Sequence, residues 1–249
     1  MDATYIQNSI EQLKLNIYNQ LHHSTLLKYT GEPVLNNHQL FYLLLPFLNG
    51  ENWDENLNIS AVTIGMVHAS LSEHDKIHEQ NATSKEQQLT VLSGDFYSGR
   101  YYQLLANTGN IFLIRKISEG IVNRCEQQMK VYEPNKLTIN EWLNSLLTIE
   151  TELIKKYYSF YHFEKYNTIM TKSLLLLRLN EELINYQNGN VTAFIKNMMG
   201  SLNKFETVDS VINQEVETLI ESLNEYLQTS SVLKDELKLY IKKQIAVCR

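Results

Sequence analysis

Apolar side chains recur along this chain at helical intervals. Ile6, Ile10, Leu13, Ile17 and Leu21 are spaced by four or three residues, which aligns them on one face of a helix. The spacing returns in Ile139, Trp142, Leu143, Leu146, Leu147, Leu153, Ile154 and Tyr157. It returns again in Val208, Val211, Ile212, Val216, Leu219, Ile220, Leu223 and Leu227. No sustained alternation with period two, the mark of a half-buried strand, competes with it. Pro33, Pro46 and Pro134 are the only prolines and there are nine glycines, sparse punctuation that suits long helices better than a many-turned sheet. The predicted fold class is all-α.

Interruptions are expected at 29–35, 49–58, 77–85, 107–110, 133–138 and 187–190. Thr138 followed three residues on by Glu141 predicts a capping box at the start of a helix. None of these breaks is long or low in complexity, so the expectation is a single helical domain over 1–249 with no flexible linker. No fixed-period repeat is evident, and the scattered asparagines read as compositional bias.

Composition narrows the classes. Apolar residues make up 43% and charged residues 20%, ordinary for a globular chain. A net charge of −6 without a basic cluster argues against a nucleic-acid partner; Lys155-Lys156 and Lys242-Lys243 read as solvated helix surface. Cys125 and Cys248 make no ligand-like spacing; Cys125 is expected to be a buried small residue and Cys248 a free thiol near a frayed end. The first residues lack the basic and apolar regions of a signal peptide. The longest apolar run, Leu40 to Leu48, contains Pro46 and has nine residues, too short for a transmembrane segment. The expected compartment is the cytoplasm.

Candidate chemistry concentrates in residues 68–106. His74-Asp75-Lys76-Ile77-His78-Glu79 is followed by Val91-Leu92-Ser93-Gly94-Asp95-Phe96-Tyr97-Ser98-Gly99 and then Tyr101-Tyr102. Asp75 and Glu79 lie four apart, on one helix face. His74 and His78 share that spacing, but without an HExxH pattern or a third ligand they read as polar helix residues. Gly94 and Gly99 cost helix stability, about 1 kcal/mol each relative to alanine, and are tolerable where another helix approaches closely. Asp95 could anchor hydrogen bonds there, and Phe96, Tyr97, Tyr101 and Tyr102 offer large packing surfaces. Leu89, Val91 and Leu92 are expected in the core.

This segment resembles trans-polyprenyl diphosphate synthases, whose helices read roughly HDDxxD and then VLxGDxxxxxxY. The match covers mainly residues 62–105, and the continuation Ser98 to Ala106 resembles the small subunit of the two-component heptaprenyl (or hexaprenyl) diphosphate synthases in particular. The resemblance implies an isoprenoid-synthase-like helical bundle. It also exposes what is missing. Such enzymes use two carboxylate clusters to hold magnesium against the leaving diphosphate. Here Lys76 replaces the middle aspartate of the first, and residues 130–249 contain no second; Glu150/Glu152 and Glu181/Glu182 lack its spacing. The basic pair after the first motif is also absent, with no arginine between Asp75 and Arg100.

The resemblance therefore implies a non-catalytic, regulatory subunit that needs a catalytic large subunit. Magnesium is expected on that partner, and no cofactor or metal on this chain. Asp75 and Glu79 read either as a solvated acidic face or as weak helpers in metal or diphosphate binding. Asp95, Phe96, Tyr97, Tyr101 and Tyr102 become candidate subunit-contact residues, since the family's corresponding helix lies in that region. The implied reaction extends farnesyl diphosphate with isopentenyl diphosphate toward the menaquinone side chain, with the prenyl tail a candidate contact of this chain. Two alternatives stand beside it: a diverged self-sufficient prenyl or terpenoid enzyme, and a helical interaction protein on the same scaffold.

Overall fold

The computed structural model describes residues 2–77, 83–132 and 137–248. Among these residues the regular elements are eleven α-helices and short 3-10 turns, with no strand, as the periodicity predicts. The chain divides into two compact units, Met1–Ile117 and Ser118–Arg249.

The first unit is built on α1 (Ala3–Leu21), α2 (Ser24–Thr30), α3 (Asn37–Leu48), α4 (Glu55–Asp75) and α5 (Lys85–Asn107), and includes the first residues of α6 (Ile111–Met129). Helix α1 buries Ile6, Ile10, Leu13, Ile17 and Leu21, the stripe its spacing predicts. Helix α3 holds the Leu40–Leu48 run and buries nearly all of it. Helix α4 is the centre of the unit, with every residue from Ser60 to Leu71 buried. A helix covered on all sides needs no polar face, which explains why this stretch shows no amphipathic period. Its neighbours come very close: a Cβ on Gly65 would lie 2.3 Å from Ile17 Cδ1. The Asp54 side chain caps α4 by accepting from the Leu57 amide.

The second unit contains the rest of α6, then α7 (Ile139–Tyr161), α8 (Asn167–Gln187), α9 (Ala193–Met199), α10 (Val208–Thr229) and α11 (Asp235–Ala246). Helix α8 packs against both α7 and α10. Thr138 and Glu141 form the expected capping box at the start of α7. The α7 terminus turns through His162, whose φ of 60° is left-handed, and Tyr157, Tyr158, Phe163 and Tyr166 pack their rings together behind it. Helix α10 buries Val208, Ile212, Val216, Leu219, Ile220, Leu223 and Leu227, again one stripe.

The breaks expected at 29–35, 107–110 and 187–190 fall between helices; those at 77–85 and 133–138 lie partly outside the described residues. Both cysteines are free, as expected of Cys248, but Cys248 is buried, its thiol pushed up in pKa by burial, and Cys125, expected buried, is half-buried. No helix among the described residues is long and apolar enough to cross a membrane.

Candidate functional site

The last turn of α4 carries Glu73, His74 and Asp75, with Lys76 as its C-cap. Glu73 is 1% exposed, and the Lys76 ammonium reaches back one turn to its Oε1 at 2.6 Å. Lys76 stands where the resembling motif has a metal-binding aspartate, and its charge is used inside the chain. Asp75 is exposed, while Glu79 and His78 lie outside the described residues. Burial, and then the Glu73 carboxylate, push the Tyr97 phenol above its usual pKa, with a hydrogen bond to Ser93 opposing them.

Gly94 is explained by the seam between α4 and α5. A Cβ there would sit 2.5 Å from His74 Nε2, so only glycine admits the imidazole. Beside it, the Ser70 hydroxyl lies 2.9 Å from the Gly94 carbonyl and donates to it, and 2.8 Å from the Ser98 hydroxyl. The residue before Gly94, Ser93, shares a hydroxyl contact of 3.1 Å with Thr30, joining α5 to α2. Small polar residues replace the apolar filling expected here, and they let two long helices approach at hydrogen-bonding distance.

The five residues singled out on α5 separate by face. Asp95 and Tyr102 are exposed, and Asp95 lies 3.6 Å from His74 rather than anchoring the serine contacts. Phe96 is half-buried with its ring against His23, and Tyr101 is half-buried. Tyr97 is fully buried in the chain's own interior, so its side chain is core and not a contact residue. Val91 and Leu92, expected in the core, are exposed instead. Leu92, Asp95, Gly99, Tyr102 and Ala106 follow one another at intervals of three and four, all exposed, which makes an outward stripe along α5. Ile111 and Phe112 at the start of α6 are 61% and 73% exposed. The three-four spacing of the α5 stripe was present in the sequence; apolar character alone had drawn Leu92 inward.

In the second unit the leftover acids are also taken up internally. Arg178 on α8 donates from Nη1 to Glu150 of α7 at 2.6 Å, and from Nη2 and Nε to Glu182 at 2.6 and 2.9 Å. The Thr192 hydroxyl, which caps α9, donates to the other Glu182 oxygen. Burial alone would lower the pKa of the guanidinium, but Glu150 and Glu182 outweigh it and hold Arg178 above its usual value. Among the described residues no three His, Cys, Asp or Glu side chains converge to hold a metal ion.

Residues 23–228 match the family model described as heptaprenyl diphosphate synthase (HEPPP synthase) subunit 1. Heptaprenyl diphosphate synthase component 1 of Geobacillus stearothermophilus is 34% identical over 95 residues, covering 38% of this chain and 43% of that relative. The match thus spans less than half the length of this relative. Among solved structures, geranylgeranyl pyrophosphate synthase from Corynebacterium glutamicum superposes with a TM-score of 0.69 at 15% identity, covering 98% of this chain and 91% of that one. Heptaprenyl diphosphate synthase from Staphylococcus aureus gives 0.66 at 13% identity, covering 98% and 97%. Those likenesses establish the isoprenoid-synthase helical fold. With most of its length matched by the family model, the chain belongs to the heptaprenyl diphosphate synthase subunit 1 family.

Proposed function

We propose that this chain is the non-catalytic, regulatory subunit of a heptaprenyl diphosphate synthase and is inactive alone. Its partner is a catalytic large subunit that holds Mg2+ and both substrates, extending farnesyl diphosphate with isopentenyl diphosphate for menaquinone side chains in the cytoplasm. The observation that carries this reading is the internal use of charge. Glu73 is taken by Lys76, and Glu150 and Glu182 by Arg178, so these carboxylates face protein cations instead of a magnesium-diphosphate pair. The outward stripe of α5 supports a docking role. Leu92 and Tyr102 supply apolar area, and among the described residues nothing beyond the backbone of its own helix lies within 4 Å of a Cβ built on Gly99, which leaves a flat place for another backbone. Binding there would stabilise the competent partner by mass action and could shield an apolar tail from water.

The test is magnesium-dependent incorporation of isopentenyl diphosphate by this chain, by its catalytic partner, and by the mixture. Long-chain product from the mixture alone is the expected result. Turnover by this chain alone would overturn the reading, as would a mixture no more active than the partner.

A further inference from the structure

Between α9 and α10 the chain runs through residues 200–207, and Phe205 there is 99% exposed. That is the highest value among the exposed large apolar side chains of the described residues. The turn beneath the ring is fixed. Residues 203–206 close on themselves, the Glu206 amide donating to the Asn203 carbonyl at 3.1 Å. The Glu206 carboxylate in turn accepts from the Asn203 amide at 2.9 Å. Lys204 and Phe205 are the two central residues, so both project from a turn pinned at each end. Behind them the Ser201 hydroxyl donates to the Leu137 carbonyl and ties the loop to the body of the second unit. Helix α9 anchors the same segment by burying Phe194, Ile195 and Met198, and it leaves Lys196 and Met199 exposed.

Charge here departs from the rest of the chain. The chain has 28 Asp and Glu residues, yet none falls within 183–205, where Lys196 and Lys204 lie. Glu206, the first acid beyond, uses its carboxylate within the turn. An apolar tip flanked by cations suits an anionic surface. Its size decides which kind. One aromatic ring offers about 150–250 Å², whereas a stable protein contact needs about 800 Å² from each partner. A bilayer interface requires no matching shape, and it accepts aromatic rings at the depth of its head groups. We propose that the 203–206 turn is a lipid anchor: Phe205 enters the interfacial layer of an anionic bilayer while Lys204 and Lys196 meet the lipid phosphates. One ring makes a weak, reversible contact, which holds the chain at a membrane surface without spanning it.

The chain is mixed with vesicles of phosphatidylcholine, with or without phosphatidylglycerol, and the bound fraction is measured by flotation. Binding should appear on the anionic vesicles, be at least about tenfold weaker on the neutral ones, and fall as salt is raised. Phe205→Ala should weaken it about tenfold or more. Because that side chain is wholly exposed, the variant's melting temperature should stay at the wild-type value. Lys204→Glu should weaken binding about tenfold or more, and on the anionic vesicles only. Phe205→Trp should keep binding, shift its emission to the blue with vesicles, and be quenched by brominated lipid more strongly than wild type. Absence of binding to anionic vesicles overturns the proposal, as does a Phe205→Ala variant that binds like wild type. Equal losses from Tyr102→Ala and Phe205→Ala also overturn it, by showing general adhesion of exposed apolar surface. A Phe205→Ala variant that keeps its vesicle binding but loses the catalytic component overturns it in favour of a protein contact. The vesicle measurements need no partner, so their failure would leave the mixing experiment, and the subunit assignment, untouched.

Discussion

Arg178→Ala should be the most damaging single change to a charged residue in the second unit. The guanidinium serves two carboxylates, Glu150 at 5% exposure and Glu182 at 1%. Its removal takes the guanidinium from both buried carboxylates, and breaking a buried pair from one side costs about 3–5 kcal/mol. Arg178 itself keeps 31% side-chain exposure, so water can partly replace it and the lower end, about 3 kcal/mol, applies. For a chain of this size that is a fall in melting temperature of about 6–12 °C, read by circular dichroism during thermal unfolding. Adding Glu182→Gln to the variant should restore part of the loss. A variant that loses under about 1 kcal/mol would show that the cluster is solvated and refute the reasoning.

Four other changes probe the α4–α5 region. Gly94→Ala should destabilise the isolated chain by about 1–3 kcal/mol in denaturant melts, because its methyl meets the His74 ring. Gly99→Ala, with open space around it, should instead stabilise the isolated chain by up to about 1 kcal/mol while weakening association with the catalytic partner. Tyr102→Ala should leave the melting temperature unchanged and weaken that association about tenfold or more, measured by titration calorimetry. Lys76→Asp places a carboxylate beside buried Glu73 and removes its cation; it should lower the melting temperature and confer no magnesium-dependent turnover on the chain alone.

Which features were legible in the sequence follows from how each helix is covered. Helices α1 and α10 each bury a single stripe, so Ile6 to Leu21 and Val208 to Leu227 announced both the helix and its inner face. Helix α4 is surrounded, so its core run from Ser60 to Leu71 has no polar face to set a period. Helix α5 inverted the expected rule: it turns Ser93 inward to Thr30 of α2 and Gly94 inward against α4, and leaves Leu92 outside. Hydrophobicity cannot separate a side chain buried in its own core from one reserved for another surface. Tyr97 and Tyr102, identical in type and five residues apart, therefore received one candidate role in the sequence, while the structure buries the first and exposes the second. Lys76 with Glu73 is a one-turn pair, visible in principle, whereas Arg178 with Glu150 joins residues 28 apart on different helices and needs the fold to be seen.

The uncovered stripe has a bearing on how such a chain must be supplied. Leu92, Tyr102, Ile111 and Phe112 stand 54–73% exposed, a surface that water tolerates poorly and other chains find adhesive. Molecules made in excess of their cover would collect in aggregates or be cleared by proteolysis, whatever the stability of the individual fold. If the catalytic subunit proposed above is what covers this surface, balanced synthesis of two components becomes a physical requirement. Production of this chain by itself in a heterologous host should yield far less soluble material than its co-production with the cognate component.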